Sequence, residues 1–203
     1  MAVAGIAAIT SFASTLYYVF IVNCGIIWQE IGVVRPELIG KATALPSLFV
    51  VVGAVLFWAM GKMGLRARAQ IAMFLVVLGA GLALIGMART VQDMVIGMAV
   101  QQTGAGMAVP VLIAWAQNQL PFEHRGRGMG VWTSAFFFGQ FTSPLIVNAA
   151  RSQMGSMHGA FFAAGLTGIA GAVIIFALLS RRGAAGAETA LATPSSGPPA
   201  GPR

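Results

Sequence analysis

Amide and phenol side chains stand inside stretches that are otherwise apolar: Tyr17, Tyr18 and Asn23 in the first run, Gln101 and Gln102 in the fourth, and Gln140 in the fifth. Uncharged donors and acceptors of this kind can hydrogen-bond a polar solute, or they can bond a neighbouring helix. Their types do not choose between the two roles. Adjacent residues point about 100° apart on a helix, so Gln101 and Gln102 cannot line one cavity equally. No Asp, Glu or Lys falls in the middle of a run, which leaves no obvious intramembrane proton carrier. His158 opens the last run and reads as an interface residue, with proton coupling as the minority reading. His124 follows Glu123 in a charged gap and reads as a surface residue. Zinc-protease, nucleophile-elbow, P-loop and paired-cysteine patterns are all missing from the sequence. This argues against a membrane enzyme, and neither cofactor nor metal is expected. The single cysteine, Cys24, can form no internal disulfide and reads as a small buried apolar group.

The elements that position these residues follow from composition. Of 203 residues, 58% are hydrophobic and 8% charged, against about 25% charged in a typical soluble domain. A net charge of +7 would suggest nucleic acid in a soluble chain. Here the basic residues are few and sit in short gaps, so nucleic acid is excluded as a partner and the lipid bilayer is expected. Six segments suffice to cross about 30 Å of hydrocarbon as helices: near 5–28, 42–61, 70–88, 94–118, 128–149 and 158–180. The first lacks the basic flank of a signal peptide and is too long for one. Strict alternation is absent, so a β-barrel fits poorly. Pro46 is placed in the first turns of the second helix, where a missing N–H costs little. The fold class is therefore all-α: a polytopic membrane protein with a six-helix bundle over 1–182. Residues 183–203, rich in Ala, Gly, Pro and Ser, read as a disordered cytoplasmic tail.

Charge sets orientation. The second gap (Lys62, Arg66, Arg68), the fourth (Glu123, Arg125, Arg127) and the tail together carry +6, and the other three gaps carry +1. The positive-inside rule places both termini in the cytoplasm, in a plasma (inner) membrane of bacterial type. Trp28, Trp58, Trp115 and Trp132 fall near helix ends, as interfacial aromatic residues do. Glycines spaced three or four apart let helices approach closely. Gly104, Gly106 and Pro110 fall within two turns of one helix, and either flex it or pack it.

Two stretches carry a resemblance. "AMGKMGLRARAQ" (59–70) is similar to a loop motif of the major facilitator superfamily, with Lys62, Gly64 and Arg66 at its basic, glycine and basic positions. Gly61 stands where that family often has aspartate. "LPFEHRGRGMGVWTSAFFFGQFTSPLIV" (120–147) resembles the loop before the family's eleventh helix, with Glu123, Arg125, Gly126 and Gly130 at the matching positions. The resemblance covers about residues 5–180 and implies the carboxy-terminal half of such a transporter. It implies further that Gln101 and Gln102 border a central cavity, and that Glu123 with Arg125 and Arg127 forms a latch-like cytoplasmic loop. Alternating access between two six-helix bundles would be the mechanism.

One bundle supplies one wall of such a cavity. The expected partners are a small-molecule substrate and either a second six-helix half or a self-paired dimer. The first helix begins within a few residues of Met1, which suits the end of something longer. A non-transporting scaffold or inactive half-carrier is the alternative, with a membrane enzyme or a channel behind it. Substrate and coupling ion are not legible.

Overall fold

The computed structural model describes residues 2–192, with side chains from 3 to 181. Seven helices follow one another: α1 (Ala2–Glu30), α2 (Pro36–Ser47), α3 (Phe49–Lys62), α4 (Ala67–Met87), α5 (Val91–Gln119), α6 (Arg125–Met154) and α7 (Met157–Ala192). No strand occurs among the described residues. α2 and α3 together make one crossing, so the bundle has six. Five of these are both long and apolar enough to span a bilayer. The sixth, α6, is 30 residues long, about 45 Å of helix. Its apolarity is diluted by Thr133, Ser134, Gln140, Thr142, Ser143 and Asn148, which is why it stands apart from the other five.

The second crossing departs from expectation. Its helix starts at Pro36, not near residue 42, with proline in the first turn where its fixed φ suits helix entry. Pro46 therefore lies ten residues in, not at the start. There its missing N–H and its ring against the carbonyl four residues back disturb the helix, and the helix is interrupted for one residue, Leu48, between α2 and α3. Pro110 and Pro144 lie inside α5 and α6 without ending them. The last helix runs on to Ala192, past the Gly183 at which the sequence reading places a disordered tail. Alanine is the strongest helix former, and the segment 183–192 is rich in it. Residues 193–203 of that tail lie outside the described residues.

α4 is the centre of the packing and runs against both α5 and α7; α3 lies on α5, and α1 on α6. Glycine makes these approaches possible. A methyl group on Gly79 of α4 would come within 2.7 Å of the Gly165 carbonyl of α7, and one on Gly97 of α5 within 2.8 Å of the Ile85 amide of α4. Gly53 of α3 and Gly106 of α5 meet backbone to backbone. Around these seams lie Ile71, Phe74, Leu75, Leu78, Leu82 and Ile85, all fully buried.

Three of the four tryptophans expected at the interface are instead buried inside the bundle. Trp28 is fully enclosed and its indole N–H donates to Thr43 Oγ1 at 3.1 Å, tying α1 to α2. Trp115 and Trp132 are also buried, and only Trp58 is exposed, with the Lys62 ammonium 4.2 Å from its ring centre.

Candidate functional site: an aromatic and amide wall on α1 and α6

α1 and α6 run parallel, because rising numbers on one bond rising numbers on the other. Ser11 Oγ donates to the Ala135 carbonyl (3.0 Å), Ser14 Oγ to the Phe136 carbonyl (2.6 Å), and Ser143 Oγ to the Thr15 carbonyl (2.8 Å). Gly139 fits between them; a methyl group there would come within 2.7 Å of Ser14 Cβ. Hydroxyls therefore clamp the two helices at mid-length, where a polar group in lipid must find a partner.

Beside this clamp, α6 turns Trp132, Phe136 and Gln140 to one side, since residues four apart share a helix face. Trp132 stacks on Phe136 with ring centres 5.4 Å apart. Tyr17 and Tyr18 approach the same Phe136 at 6.1 and 5.8 Å, and each other edge-on at 5.2 Å. All of these separations lie in the range of attractive aromatic contact. Both tyrosines are half-buried, and neither phenol has a hydrogen-bond partner among the described residues. The Gln140 Oε1 and Trp132 Nε1 atoms are buried and likewise unpartnered. Pro144 has no N–H to give the Gln140 carbonyl. The wall thus presents ring faces and two phenols, with the Trp132 indole N–H and the Gln140 amide oxygen enclosed, and carries no charged group. Such a surface can stack a planar or apolar body and hydrogen-bond a polar handle.

Of the residues singled out in the sequence, Tyr17, Tyr18 and Gln140 come together here. Asn23 does not join them: it is buried, and its Nδ2 donates to the Val19 carbonyl of its own helix at 2.9 Å. Gln101 is 1% exposed, its backbone abuts Gly81 of α4, and both of its amide atoms lack a partner. It lies in the α4–α5 seam, away from the wall. Gln102, a hundred degrees round α5, is partly exposed. Trp132 and Phe136, not singled out as candidates in the sequence, stand beside them, although their spacing with Gln140 was visible.

Gly104 and Gly106 are packing positions, pressed against Leu78 and Val50, in a helix that continues through Pro110. In the loop after α3, Gly64 takes φ +66°, the left-handed conformation glycine adopts without cost, and Lys62 and Arg66 are exposed. In the loop before α6, Glu123 and Arg127 are exposed, and no ion pair forms there among the described residues. Of its charged side chains, Arg125 reaches the Leu120 carbonyl at the end of α5 (3.4 Å) and lies over the Phe122 ring. The expected acid–base latch is therefore not closed among the described residues. Gly126 and Gly130 have open space around them, whereas Gly128, passed over in the sequence, is pressed against Leu120.

At the opposite end of the bundle a carboxylate does close a contact. Glu30, the last residue of α1, accepts from the Met157 amide (2.8 Å) and the His158 amide (3.1 Å) at the start of α7, and meets His158 Nδ1 at 2.8 Å. Arg151 Nη2 stands 3.6 Å away. An acid at a helix N-terminus satisfies unpaired N–H groups and complements the helix dipole. His158 is thus part of a clasp between α1 and α7.

Apolar crossings, glycine-locked seams and polar groups turned inward define a multi-pass helical membrane protein. The chain matches the model of the Major Facilitator Superfamily over residues 3–200; it belongs to that superfamily and is, in general terms, a transporter. No curated protein matches it.

Proposed function

We propose that the chain forms the carboxy-terminal half of a facilitator-type carrier that moves a small solute by alternating access, with the wall of Tyr17, Tyr18, Phe136 and Gln140 as its solute face. The observation that carries this reading is the pair of half-buried phenols, Tyr17 and Tyr18, which have no hydrogen-bond partner among the described residues and stand against each other and Phe136. Buried polar groups in lipid are costly unless bonded, and a passing solute supplies the bond. The wall is neutral, which favours solutes with a planar or apolar body and a hydrogen-bonding group over strongly anionic ones.

The wall is one-sided. Phe137, Phe138 and Phe141 of α6 are exposed at 60%, 61% and 71%, and α3 exposes Val51, Val55 and Trp58. A second six-helix bundle, from a longer chain or from a second copy, would complete the cavity between such faces. Both termini are cytoplasmic in this reading, in a plasma membrane, because the basic loops after α3 and before α6 then face inward.

The test is uptake into vesicles carrying the full protein, using labelled sugars, organic acids and drug-like aromatic compounds. Tyr18→Ala and Gln140→Ala should each lower uptake of the transported solute about tenfold, the equivalent of one lost contact. Uptake of none of the solutes, or uptake unchanged by both variants, would overturn the reading and favour an inactive half-carrier.

A further inference from the structure

On the alternating-access reading above, we propose that Glu30 is a positioning residue for the solute wall: its clasp fixes one end of the α1–α6 pair, and the pair turns about that end. α5 and α7 are both locked on α4 by glycine seams. Among the described residues, every side-chain hydrogen bond between α1 and these three helices is made by Glu30, the last residue of α1. Its carboxylate accepts from two amides of α7 and meets His158 Nδ1, and Arg151 of α6 stands in ion-pair range at 3.6 Å. One carboxylate thus gathers the ends of α1, α6 and α7. The chain adds a covalent tie at the same place. Only Gly155 and Ser156 join α6 to α7, and Gly155 takes φ +75°, a left-handed turn that suits glycine. Ile27 and Trp28, just before the clasp, are fully buried.

Toward the basic loops the pair is held differently. There α1 meets α7 through the Phe12 ring at Gly171 and the Leu16 side chain at Gly168, apolar contacts that slide without breaking a hydrogen bond. Thr10 Oγ1 is buried there and has no partner. Among the described residues, the one hydrogen bond from α6 to the end of α5 is that of Arg125 to the Leu120 carbonyl, long at 3.4 Å. Serine bonds hold α1 to α6 at mid-length, so the two helices travel together. A pair fixed at one end is a lever. A turn of about 5° moves a point 20 residues from the clasp, about 30 Å away, by about 3 Å, and the solute wall by about 2 Å, while the clasped end stays in place. Glu30 thereby directs the wall without touching the solute.

Double electron–electron resonance on the full protein in detergent tests this, with spin-label pairs in a Cys24→Ser background. Val131→Cys with Met73→Cys spans α6 and α4 near the basic loops, and Met154→Cys with Met87→Cys spans the same helices at the clasped end; all four positions are exposed. Val76→Cys with Val173→Cys, on α4 and α7, is the control. The expected distance distribution is about 3 Å wider for the first pair than for the second, and narrow for the control. Glu30→Gln should widen the second pair to the breadth of the first and leave the control unchanged. His158→Asn, which keeps an N–H for the carboxylate, should leave the second pair narrow. Should Glu30→Gln fail to fold, His158→Ala, which spares the amide bonds, should widen the second pair to a lesser extent. A second pair as broad as the first in the parent, or unmoved by these losses, or widened together with the control, would overturn the proposal. The solute wall survives any of those results if Tyr18→Ala still lowers uptake; loss of that effect sinks the reading on which the proposal rests.

Discussion

The seams around α4 and the seam between α1 and α6 both depend on glycine, yet they hold by different means. Around α4 the contact is backbone against backbone: Gly81 on Gln101, Gly104 on Leu78, Gly79 on Gly165. Nothing polar is exchanged across it, and Gln101, the one amide it encloses, is unpaired. Between α1 and α6, serine hydroxyls bond carbonyls of the partner helix. Interlocked glycines fix one registry, since a shift of even one residue brings side chains into backbone. Hydroxyl bonds are weak in a membrane, about 0.6 kcal/mol on average, and can re-form with the next carbonyl. The proposed solute wall stands on the second seam, and an adjustable α1–α6 pair beside a frame of α4, α5 and α7 suits the alternating access proposed for it.

The largest effect that would sharpen this contrast is expected in the frame. Gly81→Val places a branched side chain against the Gln101 backbone and should cost about 3 kcal/mol, read as loss of folded protein or a large fall in the detergent melting temperature. Next is Glu30→Gln. It removes the charge from a group with several amide donors and should cost on the order of 2 kcal/mol, seen as faster hydrogen exchange at the Met157 and His158 amides. Ser14→Ala with Ser143→Ala should cost only about 1 kcal/mol together, in the same melting assay. If that pair cost as much as Gly81→Val, the two seams would not differ in kind. Smallest are Gly126→Ala and Gly130→Ala, which meet open space and should stay within about 0.5 kcal/mol of the parent.

Much of this fold was legible because the bilayer constrains it tightly: length and apolarity alone mark the crossings. The errors have local causes. Pro46 was misplaced because the helix begins in the polar stretch Pro36–Lys41, which hydropathy passes over. Trp28 and Trp115 were assigned to the interface because nearness to a helix end says nothing about which face a side chain takes. Facing is likewise invisible at Gln101, which the fold encloses in the α4–α5 seam, and at Phe136, although the spacing of Trp132, Phe136 and Gln140 was there to read. The pairing of Glu30 with the start of α7 joins residues 127 apart, and no local pattern announces it.

The most direct test of the solute wall is thiol accessibility in sealed vesicles. Replacing Cys24, the only cysteine, by serine gives a background for single cysteines at Gln140 and Gln101. A membrane-impermeant thiol reagent should label Gln140→Cys from either side of the membrane, in proportion to the two access states, and should label Gln101→Cys from neither. Labelling of Gln140→Cys from neither side, with Gln101→Cys reactive, would contradict the account and return the cavity to α5.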